Sequence, residues 1–284
     1  MASTLEDEFG DIIAKARRGL GIERDALARS AGLAPEAVAA FEAYTRRPTR
    51  DECARVAARL QLDPAALWDI AAEAWQPAQV TLDLEGGARV APIPHPPMRV
   101  TMYVVGDAAS RQALVIDPGA DAPAIQRVLE QHAWEMAGIL VTHADHDHVG
   151  ALAAVEKERR VPVWVHADEH VRLRGVPLAD VRAFEGDRAL TVGPFQIQAV
   201  ETFGHAAGHT AYALRNAVFV GDSMFAGSLG RPLNAALYAG HLASVRDKIL
   251  GLPPATKLFA GHGPPTTVGE ERAHNPFFAG QFRN

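Results

Sequence analysis

The sequence predicts an α/β protein preceded by a small all-helical unit, and three observations carry that expectation. Residues 1 to about 76 are rich in Ala, Arg and Glu, with apolar residues at helical spacing throughout. From about residue 98 the texture changes to short β-branched runs separated by Gly, Pro and Asp, with helical stretches between them. At about 100–200 residues per domain, 284 residues leave room for two units.

The first unit parses into about five short helices. In ERDALARSAG (23–32) the helix closes on Gly32, and Pro35 opens the next one. Thr49 and Glu52 make a capping box at the start of PTRDECARVAARL, the hydroxyl serving one free amide and the carboxylate another. Asp63 before Pro64 sets a good N-cap ahead of a proline at the first helical position, where a missing N–H is harmless. The prolines of APIPHPP (91–97) suit a connector or a sheet edge, so residues 77–97 form a connector and first-strand region. The unit 98–284 follows. Its runs VTMYVV (100–105), ALVI (113–116), GILV (138–141), VPVWV (161–165) and AVFV (217–220) read as strands. Helical stretches are expected near 122–133, 150–159 and 241–251.

The bulk properties exclude several classes. A net charge of -6 gives no overall bias towards polyanions. Cys53 is the single cysteine, so no internal disulfide can form. The start MASTLEDEFG is acidic where a signal peptide needs a basic stretch, and no run approaches the roughly 18 apolar residues of a membrane span. The expectation is a soluble cytoplasmic protein with no membrane partner.

Residues 21–68 resemble the Cro-type helix-turn-helix of bacterial and phage repressors, through Leu27-Ala28, Ala31-Gly32-Leu33 and Glu42. The resemblance implies a DNA-binding fold that can also dimerise. The residues themselves supply little readout. PEAVAAFEAY (35–44), in the place of the recognition helix, carries Glu36 and Glu42 but no Lys, Arg, Gln or Asn for base edges. Residues 1–75 hold 10 Lys+Arg against 13 Asp+Glu, a net of -3. Arg46, Arg47 and Arg50 form a basic cluster suited to phosphate contacts. Two readings therefore stay open: a DNA partner, or a dimerisation or packing module that kept the fold without the readout.

The segment ILVTHADHDHVG (139–150) packs five ligand-type side chains into one loop: His143, Asp145, His146, Asp147 and His148. Acids and imidazoles this close need a cation to neutralise them, and they are the ligands a borderline or hard divalent ion prefers. Three later segments add to the group. GHAAGHTAYAL (204–214) offers His209 after a glycine, VFVGDSMF (218–225) ends a strand on Asp222, and LFAGHGPP (258–265) sets His262 between glycines. Single ligands on separate strand ends are how an α/β scaffold gathers a site at one edge of its sheets, and glycines let the backbone approach.

Residues 98–284 are similar to the metallo-β-lactamase superfamily, whose αββα sandwich holds one or two metals between its sheets. The family motif HxHxDH matches His143, Asp147 and His148; the later ligands match His209, Asp222 and His262; Asp117 in VIDPG matches an early structural aspartate. Asp145 stands where the family most often has its second histidine. The resemblance implies two divalent metals, zinc first, and the extra carboxylate makes iron or manganese plausible beside it. His143, Asp145 and His209 would hold one, Asp147, His148 and His262 the other, and Asp222 would bridge them. His146 is a rival ligand and His205 a supporting residue, while His95, His132, His166, His170 and His274 read as surface or helix-end residues.

The implied activity is hydrolysis of a small thioester, ester or lactone by a hydroxide the metals share, with Asp147 as catalytic carboxylate. The segments SLGRPL (228–233) and 241–278, with its GHG…EE…NPF ending, are similar to the glyoxalase II-like branch. Arg231 is a candidate for a substrate carboxylate, and Tyr212 and His241 are candidates for facing the substrate. Two alternatives accompany this reading: a persulfide dioxygenase with a single iron, and a ligand- or metal-responsive DNA-binding regulator.

Overall fold

A computed structural model describes residues 5–282. Five helices come first: α1 (Phe9–Gly19), α2 (Arg24–Ser30), α3 (Ala37–Glu42), α4 (Arg50–Leu60) and α5 (Pro64–Ala71). Their ends follow local chemistry. Gly32 takes φ +63° after α2, which spares the chain a steric penalty there. The Thr49 side chain accepts from the Glu52 amide with the reciprocal bond also made, and Asp63 accepts from the Ala66 amide.

Next come β1 (Ala88–His95), β2 (Val100–Asp107), β3 (Gln112–Ile116), α6 (Ala122–His132), β4 (Glu135–Leu140), α7 (His146–Val149), α8 (Leu152–Arg159), β5 (Val163–His166), α9 (Ala167–Arg172) and β6 (Val181–Phe184). The chain continues with β7 (Arg188–Val192), β8 (Phe195–Glu201), β9 (Thr210–Leu214), β10 (Ala217–Gly221), β11 (Met224–Phe225) and β12 (Ser228–Leu229). It ends with α10 (Ala235–Ser244), β13 (Lys257–Ala260), β14 (Thr266–Thr267), α11 (Val268–His274) and α12 (Ala279–Phe282). Strands β1 to β6 form one sheet in sequence order, and β14-β13-β10-β9-β8-β7 form the other.

The proline-rich run lies at a sheet edge, and one helix departs from the sequence expectation. Pro92 and Pro94 lie inside β1, which is tolerated because β1 is an edge strand whose missing donors leave no partner strand unpaired. The helix expected over 241–251 starts at Ala235, because the Asn234 side chain accepts from the Leu237 amide and caps it there. It then widens into a π-helical turn over Val245–Ile249.

Side-chain alternation sorts the strands' residues into layers. Tyr103, Val105, Leu114 and Ile116 of the first sheet meet Phe195, Ile197, Tyr212, Phe219 and Phe259 of the second, filling the space between them. Met102, Val104, Ala113 and Val115 face the other way, against Ile125 and Leu129 of α6 and Leu152 and Val155 of α8. On the outer face of the second sheet, Ala211, Val218, Val220, Leu258 and Ala260 share one apolar cluster with Tyr238, Val268 and Phe278. Ile12, Ile13, Leu27, Phe41, Val56, Leu60 and Leu67 of the first five helices join the same cluster. The change near residue 76 is therefore a change of secondary structure within a continuous core. Cys53 is buried in that core, which pushes its thiol up to about 12 and leaves it inert.

Candidate metal centre

The site lies where the strands of both sheets end and their connecting loops converge. After β4, Thr142 begins the loop that carries the dense motif. Its amide and hydroxyl both donate to Asp117, at 2.7 Å each. Asp117, at φ +50° after β3, is the floor of the site, and its Oδ2 also meets His148 Nδ1 at 2.9 Å.

Four imidazoles share one arrangement, with Nδ1 engaged by the protein and Nε2 turned inwards. His143 Nδ1 lies 3.0 Å from the Thr142 hydroxyl, and His205 Nδ1 lies 2.9 Å from the Arg231 carbonyl. His262 Nδ1 lies 2.9 Å from the Arg99 carbonyl, and His148 takes Asp117 as described. Such an Nδ1 anchor fixes the tautomer that leaves Nε2 as a lone-pair donor. The Nε2 atoms then meet carboxylates across the cleft. His148 Nε2 is 3.3 Å from Asp222 Oδ1. His262 Nε2 is 3.3 Å from Asp147 Oδ2 and 3.4 Å from Asp222 Oδ2. His205 Nε2 is 3.5 Å from Asp145 Oδ2.

Three sets of ligand atoms fall within 4.8 Å of one another: His143, Asp145 and His205; Asp147, His148 and His262; and His143, His148 and Asp222. His143 Nε2, His148 Nε2, His205 Nε2 and Asp222 Oδ1 are buried without a hydrogen-bond partner. Four orphaned polar atoms in one cavity would each cost free energy in an empty protein, and together they have the chemistry of a cation site. The electrostatics agree. Burial and the neighbouring His148 keep His143 well below the ordinary histidine range, so its imidazole is neutral and able to ligate. Burial opposes ionisation of Asp222, yet His148 and His262 hold it well below the carboxylate range. Burial would likewise lower His262, but Asp147 and Asp222 raise it to about 10.

His209, expected as a ligand, is placed differently. Its Nδ1 lies 2.9 Å from the Thr202 hydroxyl, and its Nε2 accepts the Asp222 amide at 3.1 Å, so no lone pair is left for an ion. The ring facing the cleft from this segment is His205, four residues earlier. His146, the rival ligand, is exposed and belongs to none of the three sets. His166, expected at the surface or a helix end, is the N-cap of α9 and is buried, with Nε2 2.9 Å from Glu201.

Two of the three expected substrate-facing residues are also placed elsewhere. Tyr212 is fully buried between the sheets and donates to the Val141 carbonyl at 2.8 Å. His241 is fully buried too, its Nε2 2.8 Å from the Ser223 carbonyl; burial lowers it to about 4. It lies beneath Gly204, where a Cβ would come within 2.2 Å of the His241 Cβ. His241 thus supports the loop of His205 from behind. Arg231 does line an open cavity of about 640 Å³ that adjoins Asp145 and His205.

A residue that the sequence does not single out organises much of this. Glu169 in α9 is fully buried; its Oε1 accepts the Gly208 amide at 3.0 Å and its Oε2 accepts the Ala144 amide at 2.8 Å. It ties together the loops that carry His143 and His205. It also holds Arg172 at 2.7 Å, and Arg172 in turn pairs with Asp145.

The arginines proposed for DNA lie far from this cleft in the chain. Arg46 pairs with Glu52 and stacks over Phe41, and Arg47 pairs with Glu73. Glu42 of α3 is tied to Arg17 at 2.7 Å and Arg24 at 2.6 Å, and the α3 positions left exposed or partly exposed include Ala39 and Ala40. No helix among the described residues is long and apolar enough to cross a membrane.

The sequence profile of the Metallo-beta-lactamase superfamily matches residues 95–262, more than half of the chain and the span that holds every histidine and aspartate of the cleft. The chain belongs to the metallo-beta-lactamase superfamily. Among its relatives is the probable metallo-hydrolase YqgX of Bacillus subtilis, 34% identical over 60% of this chain and 88% of that protein. The hydroxyacylglutathione hydrolase of Halorhodospira halophila is 32% identical over 57% of this chain, a match that spans 60% of that enzyme's length. Among solved structures, TTHA1623 in a di-iron-bound form is 30% identical with a TM-score of 0.57, covering 66% of this chain and all of the other (100%). Helices α1 to α5 precede the matched span, so the superfamily domain here carries additional helices, packed against α10, α11 and β12.

Proposed function

We propose that the chain is a metal-dependent hydrolase of a small thioester, ester or lactone, with two divalent cations in the cleft. The observation that carries this reading is the convergence of the orphaned His143, His148 and His205 Nε2 atoms and Asp222 Oδ1 on one space. His143, Asp145 and His205 would hold one cation, Asp147, His148 and His262 the other, and Asp222 stands between the two sets. When bound, such cations would supply Lewis-acid polarisation of a carbonyl and would lower the pKa of a bound water to about 7.

The chain's own groups define the rest. Asp147 is held ionised chiefly by the hydrogen bond from His262, against the cost of burial. Its carboxylate is the group able to take the proton of the attacking water. Asp117, Thr142 and Glu169 orient the ligands beforehand, so that little reorganisation is needed when substrate arrives. Anchored imidazoles and acids of this kind suit zinc, and the additional carboxylate Asp145 makes iron or manganese competitive. The name hydroxyacylglutathione hydrolase describes the cleavage of an acyl-glutathione, which places the thioester first in the substrate class.

The test is metal content per chain on protein purified without added metal, with turnover of a small panel of thioesters and lactones. About two metals, and turnover lost in His148→Ala, are expected. One iron per chain with oxygen uptake on a persulfide and no hydrolysis would replace this reading with the dioxygenase. Absence of bound metal after reconstitution would overturn the metal centre itself.

A further inference from the structure

The cavity beside Asp145 and His205 is walled by more than the superfamily domain. Arg18, from the last turn of α1, lines it together with Arg172 and Arg231. Arg172 is committed, since Asp145 and Glu169 share its guanidinium. Arg18 and Arg231 are both exposed, and among the described residues neither has a carboxylate partner. The same cavity is lined by Asn234 and Ala235, the N-cap and first residue of the ten-residue helix α10, whose positive end adds to the field. The wall is thus cationic beyond what its own acid, Asp145, offsets.

Arg18 is held there. Three residues earlier, Lys15 donates to the Leu229 carbonyl at 2.9 Å. One residue later, Gly19 lies so close to Tyr238 of α10 that a Cβ would meet its ring at 2.4 Å. The end of α1 is therefore seated on the same segment, 229–238, that carries Arg231 and forms the far wall.

We propose that the helical N-terminal layer completes the substrate site: Arg18, with Arg231, binds a carboxylate-bearing part of an anionic substrate whose scissile carbonyl lies at the metal centre. This rests on the hydrolase reading above. Planar guanidinium groups suit carboxylates because each can donate two parallel hydrogen bonds. The helical unit then serves recognition of a small molecule, and its acidic α3 needs no nucleic acid to explain its presence.

The test uses metal-loaded, full-length protein and two probes. The first is turnover of S-acetylmercaptosuccinate against its uncharged diamide. The second is calorimetric binding of methylthiosuccinate, which cannot be hydrolysed. Arg18→Ala should lower the preference for the dianion about 10-fold, mainly through KM, and weaken methylthiosuccinate binding by a similar factor. Arg18→Ala combined with Arg231→Ala should lower both by about 100-fold. Arg174→Ala, an exposed arginine outside the cavity, should leave both unchanged. Equal affinity for methylthiosuccinate in the wild type and the double variant would overturn the proposal. Binding that depends on Arg18, in an enzyme that hydrolyses neither thioester, would overturn the hydrolase reading and leave the anion site standing.

Discussion

His205 and His209 lie four residues apart in one loop and make opposite demands on the protein, so replacing each with alanine separates ligand from support. His205 reaches the cleft with a free Nε2 and is anchored only through Nδ1 to the Arg231 carbonyl. A complete zinc site contributes about 10–16 kcal/mol, or about 3 kcal/mol for each of four ligands. Loss of one ligand therefore lowers metal affinity by about 100-fold or more. His205→Ala should lose one metal per chain in a chelator competition. In metal-free protein it gives up a single neutral hydrogen bond, about 1 kcal/mol.

His209→Ala should behave in the reverse way. It removes a fully buried ring and strands the Asp222 amide and the Thr202 hydroxyl, at about 1–3 kcal/mol each, with a cavity cost added. At about 2–4 °C per kcal/mol for a chain of this size class, the metal-free Tm should fall by about 10 °C or more. Metal affinity should fall only through misplacement of Asp222, by about 10–100-fold. Metal counting and thermal unfolding of stripped protein read both quantities. Loss of one metal in His209→Ala with an unchanged metal-free Tm, and both metals kept in His205→Ala, would refute the assignment.

Three further outcomes follow from the same contacts. Glu169→Ala should cost about 3–5 kcal/mol in urea unfolding, because a buried carboxylate that serves two amides and Arg172 is removed, and should weaken metal binding about 10–100-fold; unchanged values for both would show that it organises nothing. Burial raises Glu271 to about 7, although Asn275 and Thr266 favour its charged form. A raised folded pKa means stability fully present below about 4.5 and lost as pH rises towards 7, so the stability of wild type relative to Glu271→Gln should fall by up to about 3 kcal/mol across that window; a constant difference between pH 4.5 and 7 would contradict it. With Arg46 and Arg47 already paired to Glu52 and Glu73, the protein should not retard duplex DNA at about 0.15 M salt, and a shift abolished by alanine at Arg46, Arg47 and Arg50 would restore the regulator reading.

The parts of the fold legible from the sequence are those set by local chemistry. The box at Thr49 and Glu52, the cap at Asp63 and the alternating runs 100–105, 113–116 and 217–220 each state their structure within a few residues. The start of α10 was less visible, because Asn234 follows a proline and a leucine that read as loop. In the site, His143, His148, Asp222 and His262 follow strand ends or flank glycines, so their convergence could be inferred. The choice between His205 and His209 could not, since both follow a glycine in the segment GHAAGH. What separates them is a backbone amide, that of Asp222, which approaches one ring from a different strand. Glu169 was hidden for a related reason: ADEHVR reads as a solvated helix face until the 144 and 208 loops close over it.

Asp145 is the point at which the sequence departs from the commoner pattern, and its surroundings show how that departure is accommodated. A carboxylate in place of an imidazole adds a negative charge to a cleft that already holds Asp147 and Asp222. Here one oxygen of Asp145 is taken by Arg172, while Oδ2 turns inwards, 3.5 Å from His205 and 3.7 Å from His143. The facing His205 imidazole, reinforced by Arg172, holds Asp145 well below the usual carboxylate range against the effect of burial. The Asp145–Arg172 pair is neutral in sum, as an imidazole would be, yet it offers an oxygen instead of a nitrogen. Glu169 in turn fixes Arg172. A change at position 145 is thus supported by charges at 169 and 172 on one short helix. The exposed side of that pair opens into the cavity that Arg18 and Arg231 line, so the group that replaces the histidine also forms the boundary between the candidate metal site and that cavity.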